Sequence, residues 1–477
     1  MKARLISTCI TAALGGLLFG FDTAVISGTT EALQSVFSLS DGRLGFAVSS
    51  ALIGTIFGAA FAGFAADGLG RRNSLLLIGL LYAVSATGSA LAWSEVSFVL
   101  FRWIGGVGVG GASVISAMYI AEISPARYRG LLVGAFQLNI VIGILVAYLS
   151  NYVISQFGQW HVETDVGTGL AASLQEAHLR WTHEVEWRLM FGAEVFPAVV
   201  FLMLLSFSPR SPRWLVAKGL ESEARQVLRL VGTDGGDIDA EIEAIRDSLR
   251  AAADQRYQPL FCGRYRKPIL LALALATFNQ LSGINAVLYY APTIFRNAGA
   301  SEDAALLFPV WLGVANLVFT IVGLAMIDKF GRRYLLLIGS VGYIASLGTA
   351  AAAFFRYGPD FGPTSNIIVL AALALFIASH AVGQGAVIWV YIGEIFPNAV
   401  RARGQALGGL THWAWAAALS FAFPSLLSGL GGAWVFTMFT GFMVLQLFWV
   451  IISMRETKGV PLEEIEQALG TREAGVR

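Results

Sequence analysis

Asp67-Gly68-Leu69-Gly70-Arg71-Arg72 closes one long apolar stretch of this chain, and Asp328-Lys329-Phe330-Gly331-Arg332-Arg333 closes another. A second pair follows in the same order. Glu122-Ile123-Ser124-Pro125 leads to Arg127, Arg129 and Gly130, and Glu394-Ile395-Phe396-Pro397 leads to Arg401, Arg403 and Gly404. The copies lie about 260–270 residues apart, a self-similarity that marks internal duplication. Basic loops alone would not repeat acids, glycines and arginines in one order. The chain therefore reads as two related halves.

Each motif ends a stretch long enough to cross a bilayer, which takes about 20 mostly apolar residues. Twelve such spans are expected, near 5–28, 45–66, 73–93, 98–121, 131–153 and 187–208, then 268–291, 304–327, 334–355, 366–392, 403–428 and 432–454. Of 477 residues, 56% are hydrophobic and 13% charged, with a mean hydropathy of +0.67. A soluble chain carries about 25% charged residues. A helix satisfies its own backbone groups in lipid, so the expected fold class is an all-α membrane protein. Its expected parts are a six-helix half at 1–208, polar linker helices at 209–267, a second six-helix half at 268–454 and a tail at 455–477. Repeats of this kind place a transport site between them, near the midplane.

Net charge is +1, so no nucleic-acid partner is expected. Lys and Arg concentrate in loops on the side of the N-terminus, which places both termini in the cytoplasm by the positive-inside rule. Lys2 and Arg4 precede span one as they would a signal peptide, but the apolar run is longer than a signal core and lacks a cleavage site, so a retained helix is expected. Cys9 in span one and Cys262 in the linker form neither a disulfide framework nor a metal spacing. No cofactor or metal is expected, and the chain should act as a monomer in a lipid bilayer. Its Ala, Gly and Arg richness points to a bacterial inner membrane.

Asp67, Arg71, Arg72, Glu122 and Arg129 of the first half match Asp328, Arg332, Arg333, Glu394 and Arg403 of the second. Arginine stays charged and offers five donors, so it can clip carboxylates or helix C-termini of adjacent helices. These residues serve either as a cytoplasmic gate that latches in one state or as a topology anchor. The matched acids favour the gate.

Further motifs carry a family resemblance. They are Leu14 through Gly28 (LGGLLFGFDTAVISG), Arg102 with Gly105-Gly106, Gly70-Arg71-Arg72, Ser211-Pro212-Arg213-Trp214, Gln280 through Asn285 to Tyr289-Tyr290, Glu394-Ile395-Phe396-Pro397, and Glu456-Thr457-Lys458-Gly459. Over nearly its whole length the chain resembles the sugar porter branch of the major facilitator superfamily, including its bacterial proton–xylose symporters and animal glucose facilitators. The resemblance implies a 12-helix fold in two pseudo-symmetric halves and a secondary transporter, not an enzyme. Two tags depart from the pattern: Arg210 stands where an acid usually precedes Ser211, and Arg455 where a proline usually precedes Glu456.

Ions inside a membrane are costly and mark function. Asp22 on span one, Arg102 on span four and Glu194 on span six each lie about 10 Å from the outer end of their helix at 1.5 Å per residue. A carboxylate, guanidinium and carboxylate cluster is therefore geometrically reasonable. It is either a permanent packing bridge or a proton-coupling device. The resemblance favours the second, since proton-coupled sugar porters carry an acid matching Asp22 and facilitators a neutral residue. Asp22 would then exchange its Arg102 partner for a proton as the halves rock around bound sugar.

The resemblance also implies sugar contacts at Gln137, Asn279, Gln280, Asn285, Tyr289, Asn316 and Trp389, with Phe19 as an aromatic wall. Amides suit a sugar because each both donates and accepts. For Asn316 an interhelical packing role stands beside the sugar contact. His380 replaces an aromatic residue and His412 beside Trp413 replaces an amide; a midspan histidine often serves only packing, but two in one expected pocket favour a place in the site. Ile144 stands where the xylose symporters carry an amide and matches the glucose facilitators. A hexose such as glucose is favoured over a pentose, with a polyol such as inositol open. Gly283, Gly383 and Gly385 either let spans seven and ten bend or serve close packing.

Residues 154–186 read as a long outer loop with one short amphipathic helix marked by Leu170, Leu174, Ala177 and Trp181. Its His161, His178 and His183 fit no standard metal site. Ala224, Val227, Leu228 and Val231, then Ile238, Ile242, Ile245 and Leu249, mark two amphipathic helices of an intracellular bundle, to which 461–469 is a candidate addition. A proton-independent facilitator is the alternative reading. A membrane enzyme is not supported: the run Gly105 to Gly111 resembles a phosphate loop, but inside an apolar span it serves helix packing.

Overall fold

The computed structural model describes residues 3–125, 127–167, 173–231, 237–254, 258–358, 360–469 and 471. Lys2 and Leu170 lie outside them. The elements formed by the described residues are all helices. Eleven are long and apolar enough to cross a membrane. Spans one to ten are Arg4–Gly28, Asp41–Leu69, Arg71–Ala90, Glu95–Ile123, Arg129–Thr164, Thr182–Ser206, Gly263–Tyr289, Glu302–Phe330, Arg332–Tyr357 and Pro363–Ile395. The eleventh helix, Arg401–Ser453, is 53 residues long and breaks at Gly431 (φ 78°, ψ 160°). It holds spans eleven and twelve, giving the twelve spans of this multi-pass membrane protein.

Contacts divide the chain into two compact units, Met1–Ser38 with Ser50–Gln255 and Leu39–Ser49 with Arg256–Arg477. In the first, glycines let helix backbones meet. Gly16 faces the Phe136 carbonyl and Gly20 that of Ile140, which presses span one onto span five. Gly106 and Gly110 face the carbonyls of Ala51 and Thr55, so the glycine run of span four is a packing seam.

The repeated turns share one backbone geometry. Gly70 (φ 83°) and Gly331 (φ 90°) hold a left-handed conformation that only glycine adopts without strain. A Cβ on Gly70 would meet the Trp214 ring at 3.0 Å, and one on Gly331 the Glu456 carboxyl at 2.6 Å.

Three helices follow span six. Ser211 caps Pro212–Ala217 by accepting from the Trp214 N–H at 3.2 Å. Glu221–Val231 buries Ala224, Val227, Leu228 and Val231, the face expected from their spacing. Ile238–Asp254 buries Ile242, with Ile238, Ile245 and Leu249 beside it. Arg246 bridges the two helices to Glu221 at 2.6 Å. Leu462–Leu469 instead lays Ile465 and Leu469 on the core of the second unit, where Tyr391 and Ile395 are buried.

The expected outer loop is shorter than 154–186. The fifth helix runs from Arg129 to Gly167, well past the expected residue 153. Its extension is held by rings: His161 and Phe157 lie 5.1 and 5.9 Å from Trp181. Trp181 ends the short helix Leu174–Trp181. His183 meets the Ser35 hydroxyl at 2.9 Å.

Candidate functional site

Asp22 and Arg102 form the most completely buried ion pair among the described residues of the first unit, each 2% exposed. Arg102 Nη1 donates to Asp22 Oδ1 at 2.5 Å, and Nη2 donates to Oδ2 at 3.2 Å and to the Asp22 backbone carbonyl at 3.1 Å. The guanidinium also lies 5.4 Å from the Phe191 ring centroid. Glu194, 1% exposed, stands just before the helix Val195–Ser206, and neither of its carboxyl oxygens has a hydrogen-bond partner among the described residues. Arg102 Nε is likewise unpartnered. The structure thus joins Asp22 to Arg102 by direct bonds and leaves Glu194 outside them. Phe19 and Gln137 are half-buried in the same unit.

The second unit brings six of the expected sugar contacts together. Span seven breaks at Gly283 (φ 84°), whose missing side chain makes room for the Phe439 ring. On either side of the break, Asn285 Nδ2 donates to Gln280 Oε1 at 2.9 Å, and Gln280 Nε2 donates to Asn279 Oδ1 at 3.1 Å and faces His412 Nε2 at 3.1 Å. The His412 ring lies between Trp389, 5.1 Å away, and Trp413, edge-on at 4.8 Å. Asn285, His412 and Trp413 are half-buried and Trp389 is 39% exposed, so the cluster keeps an accessible side.

Other expected contacts have different surroundings. Asn316 Oδ1 accepts from Thr320 on its own helix at 3.3 Å. His380 Nδ1 meets the Tyr343 hydroxyl at 2.7 Å, at the start of a widened helical turn over Ala381–Gly385. Tyr289 is buried.

Sequence reasoning missed the layer behind the amides. Asn279 donates to Gln384 at 3.3 Å, Gln384 to Gln446 at 2.9 Å, and Gln446 to the Ser340 hydroxyl at 2.9 Å. Gln384, Gln446 and Ser340 are fully buried. A lone amide in an apolar span was the available signal, because lipid leaves it no partner except another helix.

The expected gate residues form two matching clusters, each inside its own unit. In the first, Arg71 binds Glu122 at 2.9 Å, Asp67 at 3.1 Å and the Ala66 carbonyl at 2.9 Å. In the second, Arg332 binds Glu394 at 2.8 Å, Asp328 at 3.5 Å and the Ile327 carbonyl at 3.2 Å. Arg72 donates to the Leu205 carbonyl at the end of span six, and Arg333 to that of Ile451 at the end of span twelve. Arg129 donates to the Ala121 carbonyl at 3.0 Å, and Arg403 to that of Gln258. A third partner repeats too, unforeseen in sequence. The Ser211 hydroxyl bonds Glu122 at 2.5 Å, and the Thr457 hydroxyl bonds Glu394 at 2.6 Å.

The clusters also differ at Glu456. Glu456 accepts the backbone N–H groups of Arg332, Arg333, Thr457 and Lys458 at 2.9–3.0 Å. It thereby caps the start of span nine, where the helix dipole favours an anion. Burial works against its charge, but the four N–H bonds prevail and hold the carboxyl below the ordinary glutamate range. In the first unit Arg210 breaks the family's acidic pattern and pairs with Glu223 at 3.5 Å.

A family model described as "Sugar (and other) transporter" matches residues 8–469. The chain is a sugar porter of the major facilitator superfamily. This sugar porter is 36% identical to the D-xylose-proton symporter of Escherichia coli K12, over 98% of this chain and 96% of that protein. It is 35% identical to a glucose transport protein of Synechocystis, covering 95% of each. It is 34% identical to the arabinose-proton symporter of Bacillus subtilis, over 96% of this chain and 93% of that one. Its fold matches the inward-open xylose transporter XylE of E. coli with a TM-score of 0.82, at 34% identity and over 97% and 99% of the two chains. The family places it among secondary transporters, not enzymes.

Proposed function

We propose that this sugar porter is a proton-coupled monosaccharide symporter working by alternating access, with a hexose such as glucose as the preferred substrate. The observation that carries the proton half is the Asp22–Arg102 pair. A carboxylate and a guanidinium, both 2% exposed, are expensive to hold in a membrane interior unless their pairing is used. When Asp22 takes a proton its charge goes, Arg102 loses its counterion, and spans one and four lose their charged tie. Glu194, buried beside them with unpartnered oxygens, is the second acid of the device. The names of the E. coli and B. subtilis relatives, both proton symporters of sugars, support the reading.

The sugar half rests on Asn279, Gln280, Asn285 and His412, flanked by Trp389 and Trp413. Amides and imidazole give a hydroxylated ring both donors and acceptors, and the indoles give its C–H face an apolar surface. Each such hydrogen bond nets about 1 kcal/mol, so affinity is modest and shared among several bonds. Phe19, Gln137, Tyr289, Asn316 and His380 complete the proposed sugar contacts. The preference for a hexose rests on Ile144, an apolar residue where the xylose symporters carry an amide.

The two arginine clusters, Asp67, Arg71, Arg72, Glu122 and Arg129 with Asp328, Arg332, Arg333, Glu394 and Arg403, form the proposed cytoplasmic gate. Both termini face the cytoplasm of a bacterial inner membrane, and the unit of function is the monomer. The test is uptake of labelled glucose, xylose, arabinose and inositol into proteoliposomes, with and without an inward proton gradient. Accumulation of glucose above equilibrium only with the gradient is expected. Equilibration unaffected by the gradient would make the protein a facilitator.

A further inference from the structure

The amides of the sugar cluster are not free to choose which atom they present. Their direction is set on span nine, five side chains behind Asn285. The Ser340 hydroxyl donates to the Leu336 backbone carbonyl at 2.7 Å. A backbone carbonyl can only accept, so the one proton of Ser340 is spent there. Ser340 Oγ must then accept from Gln446, which turns its NH2 to span nine at 2.9 Å. The Gln446 oxygen consequently faces Gln384, which presents its NH2 at 2.9 Å. The Gln384 oxygen faces Asn279, which presents its NH2 at 3.3 Å. Asn279 Oδ1 accepts from Gln280, and Gln280 Oε1 accepts from Asn285.

Reversing any one amide would set oxygen against oxygen or N–H against N–H. Ser340, Gln446 and Gln384 are 0% exposed, Gln280 1% and Asn279 2%, so no solvent relieves such a clash. The polarity therefore runs unbroken from a backbone carbonyl on span nine to the accessible side of the cluster. There Asn285, half-buried, has committed its NH2 to Gln280 and keeps Oδ1 without a partner among the described residues. The same logic makes the His412 nitrogen facing Gln280 an acceptor.

We propose that Ser340, Gln446 and Gln384 are positioning residues of the sugar site, and that through them Asn285 Oδ1 is presented as a fixed acceptor that reads one donating hydroxyl of the carbohydrate. This rests on the sugar-binding reading above. Ser340 is remote from the sugar and acts only by orienting its neighbours.

The test uses deoxyfluoro sugars, in which fluorine replaces one hydroxyl and cannot donate. Purified full-length protein is titrated with D-glucose, D-xylose and the monofluoro analogues at each ring position, by competition against the tightest binder. In the wild type, fluorine at one position weakens binding by about tenfold or more, the loss of one well-placed hydrogen bond. In Ser340→Ala the carbonyl no longer dictates direction, Asn285 can turn over, and the penalty at that position shrinks to about threefold or less while the parent sugar still binds. Ser340→Thr keeps the hydroxyl and keeps the wild-type penalty. Gln446→Met cuts the chain one step later and should act like Ser340→Ala, which guards against one variant failing to fold.

Unchanged fluorine penalties at every position in both Ser340→Ala and Gln446→Met would overturn the proposal. So would a wild type with no penalised position, or folded Ser340→Ala that binds no parent sugar. A wild type that binds no sugar at all would instead refute the sugar-binding reading itself.

Discussion

Arg102 grips Asp22 at three points: both carboxylate oxygens and the aspartate's own backbone carbonyl. The third bond matters as much as the first two, because it ties the guanidinium to the path of span one. A shift of that helix therefore disturbs the charge pair, and a change in the pair is felt by the helix. Arg102→Leu would leave Asp22 buried without a donor. Breaking a buried pair from one side costs about 3–5 kcal/mol. The expected result is a strongly lowered thermal midpoint in detergent, with much of the loss restored in Asp22→Asn/Arg102→Leu, where neither member of the pair is left as a stranded charge.

The paired hydroxyls of the arginine clusters predict matched but unequal losses. Thr457→Val removes one hydroxyl bond to a carboxylate, which is worth about 1.5–3 kcal/mol. Ser211→Ala removes the corresponding bond to Glu122 and also the cap on Trp214 N–H, a further loss of about 0.5–2 kcal/mol. Ser211→Ala should therefore be the more destabilising in chemical or thermal unfolding. Their effects should add in the double variant, because the two clusters share no partner.

Glu456→Gln tests the asymmetry between the halves. It keeps one acceptor oxygen, loses the charge at the start of span nine, and should cost about 0.5–1 kcal/mol. The wild-type carboxyl is held below its unfolded value. Its contribution is therefore complete above the ordinary glutamate pKa of about 4.3 and is lost as pH falls through the lower folded value. Melting curves of wild type and Glu456→Gln should differ by a constant amount near neutrality and converge on acidification below that point.

His412→Phe preserves a ring between Trp389 and Trp413 but leaves Gln280 Nε2 only its bond to Asn279 Oδ1, so one of its two N–H groups loses its acceptor. A buried donor left unmade costs about 1–3 kcal/mol. Sugar affinity should fall by about tenfold, the equivalent of 1.4 kcal/mol. Isothermal titration or competition binding measures it. Affinity equal to wild type would remove His412 from the sugar site.

Much of this architecture was legible because its signals are long or repeated. Twelve apolar runs and two ordered copies of acid, glycine and arginine specify spans, halves and clusters, since each rests on many residues at once. The length of span five was misjudged, because the segment from Gln156 to Thr164 is polar enough to read as loop. It stays helical through ring packing of Phe157 and His161 on Trp181, a contact between residues some twenty positions apart. Of the site, Gln280, Asn285 and His412 could be selected and do meet. Gln384, Gln446 and Ser340 could not, because one polar residue in an apolar helix does not say which helix answers it. Ser211 and Thr457 were visible only as parts of motifs. Their shared role depends on two turns folding back onto Glu122 and Glu394.

The most direct test of the central claim is proton movement during sugar entry into proteoliposomes carrying wild type or Asp22→Asn. Adding glucose outside wild-type vesicles, with membrane potential clamped and an internal pH dye, should acidify the lumen as sugar enters. Asp22→Asn should give no acidification and no accumulation, while still exchanging labelled for unlabelled sugar across the membrane. Luminal acidification and concentrative uptake at the wild-type rate in Asp22→Asn would contradict the account.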